Sequence, residues 1–298
     1  MRKTLPLLVC SWLAIVTPAL ADGPPAVATA KVATSYDMAY MKAGDKELKL
    51  DLACPAEGDG PFPAVVVIHG GGWRGGSYQG NRALLSEFAK RGYVAISPQY
   101  EFCPAKTFPA QVYEVKAAVR WLRTNAAKYK VDPDHIGATG FSAGGHLALM
   151  LGVAGPDAGL EGDVSKDAPS SRVQAVVNYF GPSDLAADDI PEVSKPMVRD
   201  FLGSSAKEKP ELWDKASPLK LVTKDDPPIL TFQGTKDPLV PETQATKLGA
   251  AMTKAGVKGR TELLIGAGHG WQGPELERTL RETYAFFDLY LKPAKAAK

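Results

Sequence analysis

Ser142 is the side chain in this sequence best placed to act as a nucleophile. It sits in Gly140-Phe141-Ser142-Ala143-Gly144, directly after the β-rich run His135 to Phe141 and just before a helical run, His146 to Gly152. A serine flanked by small residues at a strand-to-helix junction stands on a strained turn that pushes its hydroxyl outward. A hydroxyl attacks a carbonyl at neutral pH only when a base takes its proton, and a histidine held in one tautomer by a carboxylate does this. The chain has four histidines. His69 opens a glycine loop, His135 starts a strand and His146 lies in the helix behind Ser142. His269, in Gly266-Ala267-Gly268-His269-Gly270-Trp271, follows the last predicted strand on a loop free to reach the serine. The carboxylate is expected between Ser142 and His269 in the chain. Asp237, in Gly234-Thr235-Lys236-Asp237-Pro238 after the run Pro228 to Phe232, is the first candidate. Asp184, in Gly181-Pro182-Ser183-Asp184, competes with it and is otherwise a turn or cap residue.

Attack on a carbonyl builds negative charge on its oxygen, and backbone N–H groups reach that oxygen only where side chains are absent. His69-Gly70-Gly71-Gly72-Trp73, at the end of the apolar run Ala64 to His69, meets that need. Gly71 and Gly72 are expected to donate from the loop and Ala143 from the turn beside the nucleophile. A phosphate-cradling loop is the other use of such glycines, but the chain has no Gly-Lys-Ser/Thr after them and no G-x-G-x-x-G opening a helix. Trp73 and Tyr78 near the glycines and Trp271 beside His269 are expected to bind substrate. Trp213 has packing as an equal alternative.

These residues need a scaffold that brings loops together. Near-continuous apolar runs recur at Ala64–His69, Tyr93–Ser97, His135–Phe141, Val173–Tyr179, Pro228–Phe232 and Thr261–Ile265, as in parallel strands covered on both faces. Amphipathic segments at Asn81–Arg91, Ala110–Tyr129, Thr243–Ala255 and Pro274–Leu291 alternate with them. The alternation predicts a mostly parallel, doubly wound α/β sheet flanked by helices. Tyr36–Met41 and Glu47–Leu52, joined through Ala43-Gly44-Asp45, predict an antiparallel hairpin at the sheet edge. The stretch 184–226 is long for a simple crossover and is expected to form a small cap over the site, with a lengthened surface crossover as the alternative.

The remaining features bound the context. Lys and Arg number 35 against 33 Asp and Glu, with no basic block, so nucleic acid is not expected as a partner. Met1-Arg2-Lys3, the apolar stretch Leu5 to Val16 and Ala19-Leu20-Ala21 predict a signal peptide over 1–21, cleaved after Ala21. No stable membrane insertion is expected after cleavage, and the mature chain is expected to be secreted or periplasmic. A flexible leader over 22–35 and one domain over 36–292 follow. Export would leave Cys54 and Cys103 where a disulfide can persist, with two free thiols as the alternative.

Together, HGGGW, GFSAGGH, GTKDPLVP and GAGHGW resemble the α/β-hydrolase superfamily, in particular its hormone-sensitive-lipase-like and carbohydrate esterase branch. The run His69–Tyr78, with Phe108-Pro109-Ala110-Gln111 and Ala118–Arg123, is similar to feruloyl and acetyl-xylan esterases. The resemblance covers almost all of the mature chain. It implies an α/β-hydrolase fold, a catalytic triad of Ser142, Asp237 and His269, and an oxyanion hole of Gly71, Gly72 and Ala143. It further implies a serine carboxylesterase acting on a small-molecule or oligosaccharide ester without metal or organic cofactor. Glu114 stands where the family is expected to carry aspartate, a position read as structural. An exopeptidase of the prolyl-oligopeptidase type would use the same residue order, but this chain has no room for the N-terminal propeller such enzymes carry. A non-catalytic binding module would have lost one of the three residues, and all three are present.

Overall fold

The computed structural model describes residues 30–292. The expected signal peptide lies outside them. The sheet begins at Val32: β1 (Val32–Ala43) pairs antiparallel with β2 (Lys46–Pro55), with Val32 opposite Pro55 and Ser35 opposite Leu52. The leader expected to run to residue 35 therefore ends earlier. As an edge strand β1 exposes much of its surface, so its Ala, Thr and Ser residues lack the apolar pattern of a buried strand.

Six further strands follow: β3 (Phe62–Ile68), β4 (Val94–Pro98), β5 (Val131–Phe141), β6 (Ala175–Tyr179), β7 (Ile229–Gly234) and β8 (Gly259–Leu264). The sheet order is β1-β2-β4-β3-β5-β6-β7-β8, with β2 antiparallel to β4 and all pairs from β4 to β8 parallel. Alternation along each central strand divides the core in two. Val66 and Ile68 of β3 join one cluster with Val112, Val115 and Leu147, from α2 (Ala110–Thr124) and α4 (Ala143–Val153). Val65 and Val67 join the other with Leu85 and Phe88 of α1 (Arg82–Lys90) and Phe287 of α9 (Gly273–Leu291). Two covered faces explain why these strands read as unbroken apolar runs.

The predicted helix Ala110–Tyr129 is two elements, α2 and the single turn α3 (Ala126–Tyr129), separated at Asn125. The stretch 184–226 carries three short helices: α5 (Lys195–Leu202), α6 (Pro210–Lys215) and α7 (Pro218–Leu221). Helix α8 (Glu242–Ala255) then connects β7 to β8. Cys54 and Cys103 are both free thiols. Parallel strands all end on one edge of the sheet, and the loops after β3, β5, β7 and β8 meet there.

Candidate active site

The serine turn is built by close backbone approach. Ser142 has φ 54° and ψ −119°, a conformation that costs energy for any residue with a Cβ and persists only where its surroundings enforce it. Its N–H donates to Tyr179 O at 2.9 Å, and its carbonyl accepts His146 N–H, which starts α4. A Cβ at Gly140 would stand 2.2 Å from Gly144 O, and one at Gly144 would stand 2.2 Å from Ile68 O. Those two glycines let the turn close and let the end of β3 press against it. The glycine loop after β3 thereby lies beside Ser142.

That loop is held from several sides. Tyr100 stacks on the His69 ring at 4.3 Å and donates its hydroxyl to His69 O at 3.0 Å. His69 Nδ1 donates to Gly70 O, and burial holds this imidazole below its ordinary pKa, so it stays neutral. Gly71 and Gly72 have φ of 119° and 59°, where a side chain is strained. Among the described residues, neither of their N–H groups donates to another backbone carbonyl. Both glycines line the same cavity as Ala143, the first residue of α4, whose N–H precedes the helical bonding ladder.

His269 and Asp237 arrive from the loops after β8 and β7. Ser142 Oγ donates to His269 Nε2 at 2.8 Å, and His269 Nδ1 donates to Asp237 Oδ2 at 2.7 Å. A carboxylate only accepts, so this contact sets the tautomer and leaves Nε2 free to take the serine proton. The Asp237 side chain is fully buried, and its other oxygen accepts the N–H groups of Leu239 and Val240 at 2.8 and 2.9 Å. Oδ2 also accepts Gln233 Nε2 at 3.1 Å. Asp184 is elsewhere: its carboxylate caps the N–H of Ala186, the turn role expected for the weaker candidate. His146 is buried behind the turn with Nε2 on Ala216 O, and desolvation lowers its pKa to about 4.

The arrangement opens into a cavity of about 450 Å³. Trp73 forms part of its wall, as expected from its loop, and stacks on Phe201 of α5 at 4.4 Å. Tyr78 does not line it. Its hydroxyl donates to Asp37 Oδ1 at 2.5 Å, drawn to an anion on β1 that is distant in sequence. Trp271 does not line it either: its indole N–H donates to Thr279 Oγ1 and its ring meets Phe180 edge-on at 5.1 Å. Phe180, which sequence reasoning passed over, also lines the wall, with its ring 4.8 Å from that of His269. The first part of the stretch 184–226, through Leu185, Ile190, Met197 and Val198, closes one side.

The family model for BD-FAE matches residues 50–252, well over half of the chain. The chain belongs to the BD-FAE family. The BD-FAE match takes in the glycine loop, Ser142 and Asp237, while His269 lies past its end. Curated relatives include esterase LipQ of Mycobacterium tuberculosis, 35% identical over 65% of this chain and 46% of that protein. Esterase LipC of the same organism is 34% identical over 71% of this chain and 53% of that protein. The chain thus spans about half the length of these relatives. Among solved structures, a truncated carbohydrate esterase from gut microbiota superposes with a TM-score of 0.75 at 30% identity, covering 89% of this chain and 98% of that one. An esterase from Thermogutta terrifontis gives 0.73 at 28% identity, with 92% and 97% covered. This BD-FAE chain has the α/β-hydrolase fold.

Gln233 and Gln244 are two further residues of this BD-FAE site that sequence reasoning missed. Gln233, fully buried at the end of β7, donates to Asp237 and, at 2.8 Å, to Val240 O. Gln244 on α8 accepts the N–H groups of Ser183 and Asp184, pinning the turn after β6. A lone glutamine carries no local signal; only its spatial partners reveal its use.

Proposed function

We propose that this protein is a serine carboxylesterase that hydrolyses its substrate through an acyl-enzyme. The observation that carries this reading is the unbroken hydrogen-bonded chain Ser142–His269–Asp237 at the edge of a cavity shared with the Gly71, Gly72 and Ala143 backbone. His269 takes the serine proton as Oγ attacks the ester carbonyl, and Asp237 stabilises the imidazolium. The oxyanion is received by the N–H groups of Gly71, Gly72 and Ala143, each contributing roughly 3 kcal/mol of barrier lowering. His269 then protonates the departing alkoxide, and water repeats the sequence on the acyl-enzyme. The ester is an acetyl or feruloyl ester of plant carbohydrate. The likeness to a carbohydrate esterase from gut microbiota supports this choice. Work outside the cell, secreted or periplasmic, fits the N-terminal leader of the sequence. The test is initial rates on p-nitrophenyl acetate, butyrate and octanoate and on methyl ferulate, for the wild type and Ser142→Ala. Loss of about a thousandfold or more in the variant is expected; equal rates in both would overturn the Ser142 mechanism.

A further inference from the structure

We infer that Met197 is an oxidation site whose sulfoxide disables the oxyanion loop, an inference that rests on the esterase reading. Met197 stands in the first turn of α5, partly exposed, and lines the catalytic cavity. Its sulfur occupies the place a side chain at residue 72 would take: a Cβ added at Gly72 would stand 2.7 Å from Met197 Sδ and 3.5 Å from its Cγ. The thioether therefore lies against the loop whose Gly71 and Gly72 N–H groups donate to no backbone carbonyl among the described residues. The other described methionines are placed differently. Met150 and Met252 are buried, Met38 and Met41 lie on the edge strand β1, and none of these lines the cavity.

Hydrogen peroxide entering the cavity meets this sulfur. One peroxide oxygen bonds to Sδ as the O–O bond breaks; the thioether loses two electrons, and the other oxygen leaves with both protons as water. The product is a polar, accepting group where an apolar one stood. A sulfoxide oxygen beside Gly72 finds N–H donors that no carbonyl holds, and pairing with one satisfies both groups. A donor engaged in this way is no longer free for the charge that develops in the transition state, so the loss falls on kcat. Cys103 is the rival on the same loop, with its Sγ 4.0 Å from Gly72 O. It is buried, and burial pushes its thiol up to about 11, so it keeps its proton and reacts slowly with peroxide.

The experiment treats the wild type, Met197→Leu and Cys103→Ser with hydrogen peroxide and then removes the peroxide with catalase. Turnover of p-nitrophenyl acetate is read against each protein's own untreated rate, while peptide mass spectrometry follows oxygen gained at each methionine. For the wild type, kcat is expected to fall about tenfold or more in step with oxygen gained at Met197, towards the roughly hundredfold cost of one lost oxyanion donor. Met197→Leu should keep about half or more of its rate under the same treatment, and Cys103→Ser should lose activity as the wild type does. Met197 left unoxidised, or fully oxidised with less than about a tenfold loss, overturns the inference. Equal sensitivity of Met197→Leu, or protection by Cys103→Ser, does the same. In each of these cases Ser142-dependent turnover before treatment keeps the esterase reading intact. Inertness of the untreated protein toward every ester overturns both.

Discussion

Two buried charged networks in this protein have opposite designs. One is Asp237 with His269 and Ser142. The other is Glu161, which takes Lys116 Nζ at 2.5 Å and also pairs with Arg120, while Lys116 donates to Ala154 O at 2.6 Å. The Lys116 side chain is 1% exposed, and burial lowers its pKa while Glu161 opposes that shift. The second network ties the loop after α4 to helix α2 and ends in carbonyls and hydroxyls that complete it. The first ends on Ser142 Oγ, on a turn with positive φ, facing a cavity. A network whose last group faces open space can react, whereas one closed on itself only holds. The difference therefore lies in what each network terminates on and not in how strongly its charges are paired.

Breaking either network should separate activity from stability. Asp237→Asn turns an amide N–H toward His269 Nδ1 and selects the wrong tautomer. A loss of about 10⁴ in kcat is expected by the precedent of this exchange in a serine protease, with the chemical-denaturation midpoint little changed. Glu161→Gln leaves Lys116 buried without its anion and should cost about 3 kcal/mol in urea unfolding, with kcat/KM of the folded enzyme intact. If that variant lost activity in proportion, the two networks would not be independent. Gln233→Leu bridges the comparison. It strips a donor from Asp237 and Val240, so about 1–3 kcal/mol of stability and roughly tenfold in kcat should be lost together.

A third buried carboxylate sharpens the contrast through pH. Glu114 accepts Glu101 N–H at 2.8 Å in the wall of α2, and burial, reinforced by the Glu101 carboxylate, pushes its pKa up to about 8. The folded state then holds a proton that the unfolded chain releases near pH 4.5. Stability from this group is present below that pH and declines as pH rises towards 8, by up to about 1.4 kcal/mol per unit. Glu114→Gln should flatten this decline in thermal melts at pH 5, 6.5 and 8. The smallest effect is expected for Tyr78→Phe, which removes a hydrogen bond to an exposed Asp37. Stability should change by about 1 kcal/mol or less and the ester profile should stay as in the wild type, because Tyr78 lies outside the cavity.

How far the sequence reached can be followed residue by residue. The turn at Ser142 is written locally: glycines at 140 and 144 are demanded because a Cβ at either would stand 2.2 Å from a backbone oxygen. The central strands are equally legible, because burial on both faces imposes an unbroken apolar run. Order along the chain and position after a strand placed Asp237 ahead of Asp184, and the structure sets Asp237 beside His269. The edge strand β1 was hidden by its exposure, and the break at Asn125 by an amphipathic pattern that continues across it. Tyr78 and Trp271 stand near the right residues in sequence, yet their polar tips are claimed by Asp37 and Thr279, from other elements. The cavity is the part that only the tertiary structure decided. Its wall draws on the loops after β3, β5, β6, β7 and β8 and on α5, and its shape and polarity depend on distances among segments that no local pattern encodes.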